Sequence, residues 1–132
     1  MDRKSITMFL TFPGVAEEAM EYYASNLPGA EIADIVRYGS AGGEDGADKV
    51  LNGILTLKGQ EIMFMDMIGP SSEFSWAMSI YVDCVDEAEF DAFFDALSRD
   101  GTVMMGPEAV GNLRKVAWVT DKLGVTWQPV WE

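Results

Sequence analysis

Slid along itself by 70 residues, the chain meets its own opening again. Ser5 falls on Ser75, Met8 on Met78, Val15 on Val85, Glu17 on Glu87 and Leu27 on Leu97, five identities over the 23 ungapped pairs from Ser5 to Leu27. Leu10/Ile80, Phe12/Val82, Met20/Phe90, Glu21/Asp91 and Tyr23/Phe93 match in kind. The order of element types recurs as well: an alternating strand, a break, an acidic helix start, then apolar residues at helical spacing. A period this long is no solenoid, whose units recur at about 20 to 50 residues. The chain therefore reads as one domain over 1–132 that doubles a strand–helix–strands unit, with module one over 5–67 and module two over 75–131.

Within module one, Ile6 to Phe12 alternates as a strand until Pro13-Gly14 breaks it. From Val15 the period lengthens: Ala16, Ala19, Met20, Tyr23 and Leu27 share a helical face, Glu17 and Glu18 sit in the first turn where the helix dipole favours them, and Pro28-Gly29 ends the run. Glu31 to Tyr38, Val50 to Leu57 and Ile62 to Met67 read as strands, the last two joined as a hairpin at Lys58-Gly59-Gln60. Between them, 39–48 is glycine-rich but carries Glu44, Asp45 and Asp48 and lacks a Gly-Lys-Ser/Thr ending, which favours a mobile loop over a phosphate cradle. Gly69-Pro70-Ser71-Ser72 reads as a connector. Near the end, a Lys-Leu-Gly turn feeds the short strand Val125-Thr126-Trp127-Gln128.

Strand side chains alternate between faces, so each opening strand has an apolar even face (Met8, Leu10, Phe12; Met78, Ile80, Val82) and a mixed odd face (Thr7, Phe9, Thr11; Ala77, Ser79, Tyr81). A following helix buries its stripe on the apolar face. The mixed faces, joined by Thr126 and Gln128 and by Met63 and Met65, are then left to curve round a cavity.

Composition excludes several partners. A net charge of −13 with no basic stripe repels nucleic-acid phosphates and anionic membranes. The apolar run after Met1-Asp2-Arg3-Lys4 is too short for a signal peptide or a membrane span. The lone Cys84 forms no internal disulfide and reads as a small buried hydrophobe, so a cytoplasmic setting is expected. Histidine is absent, which removes Ser/His/Asp and Cys/His catalysis.

The stretches Gly14-Val-Ala-Glu-Glu-Ala-Met-Glu-Tyr-Tyr23, Arg37-Tyr38-Gly39, Gly59-Gln60-Glu61, Phe74-Ser75-Trp76-Ala77 and Asp121-Lys-Leu-Gly-Val-Thr-Trp-Gln128 carry a resemblance. In this order and spacing they are similar to the vicinal oxygen chelate superfamily (glyoxalase I, extradiol dioxygenases, bleomycin-resistance proteins), and within it to the PhnB-like, 3-demethylubiquinone-9 3-methyltransferase-like branch. The resemblance implies an α+β fold of two βαβββ modules whose curled mixed sheets surround a cavity, and a homodimer. Metal-using members place ligands on the first and last strands of each module. Those positions fall here on Thr7, Ala77, Gln128 and a residue between Met63 and Met65. Only Gln128 could ligate, so no metal and no cofactor are expected. A nucleotide-fold methyltransferase needs alternating strands and helices with a glycine-rich turn after the first strand, a pattern this chain lacks.

For acid–base chemistry the candidate is Asp66, which ends an apolar strand where partial burial would raise its pKa. Arg37 is a candidate anchor for a ligand carboxylate or phosphate. The expected cavity lining is Thr7, Phe9, Arg37, Met63, Met65, Ala77, Trp118 and Gln128. Three functions compete: a metal-independent small-molecule-binding protein, a metal-free isomerase, lyase or transferase using Asp66, and a non-catalytic interaction module whose cavity is collapsed.

Overall fold

The computed structural model describes residues 6–70 and 73–132. Residues 1–4, Ser5 of the repeat and Ser71-Ser72 of the connector lie outside the described residues. The chain forms two compact units, each built around one four-stranded mixed sheet. The α+β reading and the doubled βαβββ order hold, and neither sheet closes into a barrel.

In the first unit, β1 (Met8–Phe12) leads into helix α1 (Ala16–Asn26), followed by β2 (Glu31–Arg37), a one-turn helix α2 (Gly43–Gly46), β3 (Val50–Leu57) and β4 (Gln60–Asp66). The sheet order is β1-β4-β3-β2, with β1 parallel to β4 and the other pairs antiparallel. Alternation decides what is buried. Leu10, Phe12, Ile62 and Phe64 are buried, whereas Phe9, Met63, Thr11 and Met65 of the intervening register are part-exposed. Ala16, Ala19, Met20 and Tyr23 of α1 are fully buried, and Tyr23 tilts against Phe64, itself stacked on Phe12 at 5.6 Å. Each of the larger apolar side chains among them contributes about 1.5–3 kcal/mol of burial. Gly53 of β3 lets the helix come this close: a Cβ there would lie 2.5 Å from the Met20 sulfur.

The hairpin between β3 and β4 turns on two residues, Lys58 and Gly59, both at positive φ. That geometry belongs to the turns whose twist matches the strands. The glycine-rich stretch 39–48 is a compact connection, a 3-10 turn running into α2. Bonds from Tyr38 N to Lys49 O at 3.0 Å and from Gly39 N to Ala47 O at 2.9 Å close it.

In the second unit, β5 (Ile80–Cys84) leads to α3 (Glu87–Ser98), β6 (Thr102–Val110), β7 (Leu113–Thr120) and β8 (Thr126–Trp131), in sheet order β5-β8-β7-β6. Asp86 caps α3 by accepting from Glu89 N at 2.8 Å, and Glu89 reaches back to Val85 N at 3.3 Å. The pair resembles a capping box, with Glu89 accepting from the residue before the cap instead of from the cap itself. Phe90, Phe93, Ala96 and Leu97 bury the helix face. Asp121 organises the turn into β8. Its Oδ1 accepts from Leu123 N (2.8 Å) and Val125 N (3.1 Å), and its Oδ2 from Trp127 Nε1 (2.9 Å). Strand β8 runs three residues past Gln128, through Pro129. The sequence places an end there because proline lacks an N–H. Pairing with β7 is kept on both sides of the proline, at Val116↔Val130 and Val119↔Trp127.

The two modules superpose with a register that the ungapped repeat conceals. Strands β1 and β5 share one burial pattern, in which Leu10 and Phe12 correspond to Val82 and Cys84, an offset of 72 instead of 70. The helices keep the offset of 70, with Met20, Tyr23 and Leu27 matching the buried Phe90, Phe93 and Leu97. Because strand faces repeat every two residues, a slip of two preserves the face while misplacing the ends. Hence Val82 is buried as expected, while Met78, expected on the apolar face, lies before β5 and is 74% exposed.

Candidate functional site

The corrected register sets the two open faces side by side in sequence. Across the first sheet the row is Phe9 (β1), Met63 (β4), Ile54 (β3) and Asp34 (β2), each paired with the next. Its counterpart across the second sheet is Tyr81 (β5), Gln128 (β8), Trp118 (β7) and Met105 (β6). Tyr81 pairs with Gln128 and Met105 with Trp118. The unbroken register from Val116↔Val130 to Val119↔Trp127 sets Trp118 opposite Gln128. Met63 is thus the module-one counterpart of Gln128 by strand register. Thr7 likewise corresponds to Ser79, not to Ala77. Ala77 is exposed before β5, with its N–H on Ser75 Oγ at 3.0 Å.

The first row is apolar until Asp34 at its edge, whereas the second carries hydrogen-bonding groups at its centre. Gln128 Nε2 donates to Ser79 Oγ at 2.9 Å. Next along β8, the Thr126 hydroxyl, 2% exposed, pairs with that of Thr120 at 2.8 Å. Trp118 meets Trp76 edge-on with ring centroids 5.7 Å apart. Among the described residues, Trp118 Nε1 is the buried side-chain nitrogen with no hydrogen-bond acceptor. An indole N–H is a donor only, and leaving it unpaired costs about 1–3 kcal/mol. Its neighbour Trp127 shows the ordinary remedy, an indole bonded to Asp121.

Arg37 is engaged elsewhere. It reaches α1, donating through both terminal nitrogens to the Glu17 carboxylate at 2.9 Å and through Nη1 to Asp48 O at 2.8 Å. Its cross-strand partner is the fully buried Val50, not a residue of the open face. The Arg37 hydrogen bond and charge hold the Glu17 carboxyl below the usual glutamate range against a weaker desolvation. A lone arginine at a strand end gives no sign of which face its side chain takes, and here the strand register shifts between Val36 and Arg37.

Asp66 is neither a solvated turn residue nor a free base. It is 1% exposed, with Oδ1 accepting from Ala16 N at 2.8 Å and Oδ2 from Val50 N at 2.9 Å. Val15, just before α1, has no side-chain oxygen, so an acid from β4 satisfies the first helical N–H that Asp86 and Glu89 manage locally in α3. Tyr38 OH donates to the Asp66 carbonyl at 2.8 Å, tying the end of β2 to the same corner.

Near this corner the first unit has two open clefts. One, of about 250 Å³, is lined by Glu17, Glu18, Glu21, Asp48, Lys49 and Asp66 with Gly14. The other, of about 430 Å³, lies by Pro13, Gly42, Glu44, Asp45, Lys49 and Ile68. Asp66, the acid–base candidate, borders the first cleft, and none of the residues expected to line a cavity borders either one. Lys49 Nζ donates to Gly14 O at 2.9 Å.

The metal positions implied by the fold are occupied by Thr7, Ser79, Met63 and Gln128: two hydroxyls, a thioether and an amide. Hard cations want carboxylates and zinc wants imidazole or thiolate, so this set does not fit the group. Among the described residues no three His, Cys, Asp or Glu side chains converge as a metal site. No helix among them is long and apolar enough to cross a membrane.

Comparison with known proteins places this geometry. The family described as 3-demethylubiquinone-9 3-methyltransferase matches residues 4–130. A PhnB protein from Bacillus cereus, described as a putative 3-demethylubiquinone-9 3-methyltransferase, is 39% identical with a TM-score of 0.85, covering 98% of this chain and 100% of that one. Protein YjdN of Escherichia coli K12 is 26% identical over 92% of this chain and 91% of its own length. A glyoxylase/bleomycin resistance protein/dioxygenase domain from Frankia, 10% identical, shares the fold with a TM-score of 0.68 over 97% of this chain and 91% of that domain.

Proposed function

The chain belongs to the 3-demethylubiquinone-9 3-methyltransferase family, of glyoxalase/bleomycin-resistance-like fold, and we propose that it is a metal-independent, homodimeric protein that binds a small molecule on the open face of its second sheet. The observation that carries this reading is Trp118 Nε1, buried without an acceptor on a residue that the β7–β8 register sets opposite Gln128. A native fold rarely keeps an orphaned donor at a place where nothing uses it. Its module-one counterpart, Ile54, carries no such group, so the indole donor is a departure from the repeat and not a requirement of the fold.

Metal independence is supported by the donor chemistry of Thr7, Ser79, Met63 and Gln128. A dimer is supported by β2 and β6, two of the four edge strands, which expose Ile32, Val36, Val103 and Val110. The single buried thiol of Cys84 fits a reducing, cytoplasmic setting. Acid–base catalysis by Asp66 is the weaker reading, since both of its oxygens hold backbone amides of the fold. The family name speaks of methyl transfer, but among the described residues the polar row carries hydroxyl, amide and indole groups and no carboxylate or amine.

The test is native mass spectrometry of untagged protein set against its denatured mass. A dimer with extra organic mass released on denaturation is expected. A bare monomer, or a stoichiometric transition metal, overturns the reading.

A further inference from the structure

We propose that the ligand of this face is a neutral, planar compound bearing a carboxamide or lactam, whose carbonyl accepts from Trp118 Nε1 and whose N–H donates to Gln128 Oε1. The inference rests on the ligand-binding reading above and narrows it to a chemical class. The donor side is fixed by Trp118, whose buried N–H has no protein acceptor. The acceptor side follows from Gln128: its Nε2 is bonded to Ser79 Oγ, which leaves the amide carbonyl as the end that can take a hydrogen. Directly opposed residues on one face of an antiparallel pair have Cβ atoms about 4.5–5.5 Å apart. One amide-like group can therefore answer both.

Charge narrows the class further. An anionic ligand would meet no counter-charge on this row. Lys115 is bound at 2.9 Å to Glu87 and to Asp91, and Arg114 lies over the Trp131 ring at 4.8 Å. The chain as a whole carries −13. A bare ammonium, in turn, would face the positive end of the Trp118 N–H. A neutral group with both an acceptor and a donor satisfies the pair without either penalty. Tyr81, Trp118 and Trp76 supply flat ring surfaces, which suit a planar body. Because the N–H is buried, the ligand reaches it by displacing a neighbour. Trp76 can yield, being 63% exposed, outside any strand and in ring contact with Trp118.

The test uses nicotinamide and its isostere nicotinate as probes on the full-length, 15N-labelled chain, whose four tryptophans give separate indole signals. Trp118→Phe assigns the resonance. Fragments of this size bind at about millimolar strength, so the titration runs past about 10 mM. Nicotinamide is expected to move the Trp118 indole proton downfield and leave Trp127 unmoved. Nicotinate should bind at least about tenfold more weakly, and Gln128→Met should weaken nicotinamide by a similar factor while keeping the four-indole pattern of the folded chain. Equal responses to the two probes, or nicotinamide binding unchanged in Gln128→Met, overturn the amide class. No response to either probe does so too. In that case the native mass distinguishes the readings: a co-purified ligand leaves small-molecule binding standing, and a bare chain removes both.

Discussion

Asp66→Asn is the natural probe for a catalytic carboxylate, yet here it should act first on stability. The native carboxylate accepts two backbone N–H groups, from Ala16 at 2.8 Å and Val50 at 2.9 Å, with 1% of the residue exposed. Asparagine keeps one acceptor and sets an NH2 against the other donor. Hydrogen bonds to a charged group contribute about 1.5–3 kcal/mol each, and a buried donor left unpaired costs about 1–3 kcal/mol. One bond lost and the other weakened, with partial relaxation, gives about 2–4 kcal/mol. For a domain of this size that is roughly a 10 °C fall in Tm. The assay is reversible urea or thermal unfolding followed by far-UV circular dichroism. Binding by the molecules still folded, measured well below the midpoint, should stay near wild type. A variant within about 0.5 kcal/mol of wild type would refute the structural assignment and return Asp66 to the candidates for chemistry.

Other perturbations follow from the same geometry. Glu17 is more acidic folded than unfolded because Arg37 hydrogen-bonds and attracts it, so the pair stabilises above the ordinary glutamate range. That contribution is lost as pH falls through the folded value. Arg37→Met should flatten the acid limb of a stability–pH profile from about pH 4.3 downward, and high salt should shrink the difference, since both side chains are part-exposed. Asp86→Ala removes the cap that accepts from Glu89 N and should destabilise by about 1 kcal/mol in urea titration. Gly101→Ala would set a Cβ 2.5 Å from Thr120 O and 2.7 Å from Leu97 O, backbone atoms that cannot swing aside. A loss of about 1–3 kcal/mol is expected by thermal melting.

Much of the fold is legible in the residues because alternation and helical spacing report burial directly. Phe12, Tyr23, Phe90 and Leu97 fall where their periodicity puts them. The ends of elements are less legible. An ungapped repeat cannot show that β5 starts two residues late relative to the helix that follows it. That slip carried Ala77 into a position that belongs to Ser79. The candidate site is half legible: Trp118 and Gln128 read as lining residues, but their direct opposition depends on the β7–β8 register, which spans the Asp121 turn. The contacts of Arg37 and Asp66 are hard to read from sequence for one reason. Each is a charged residue at a strand end, and the groups that claim them, Glu17 and the Ala16 and Val50 amides, are 16 to 50 residues away in sequence. The acceptor missing from Trp118 has no sequence signature at all.

The most direct measurement pairs native mass spectra of untagged wild type and Gln128→Leu, each against its denatured mass. The account requires both to be dimers, with an organic mass carried by the wild type and lost or strongly depleted in the variant. Equal extra mass on the two proteins would place the ligand elsewhere, and bare wild-type protein would contradict ligand binding itself.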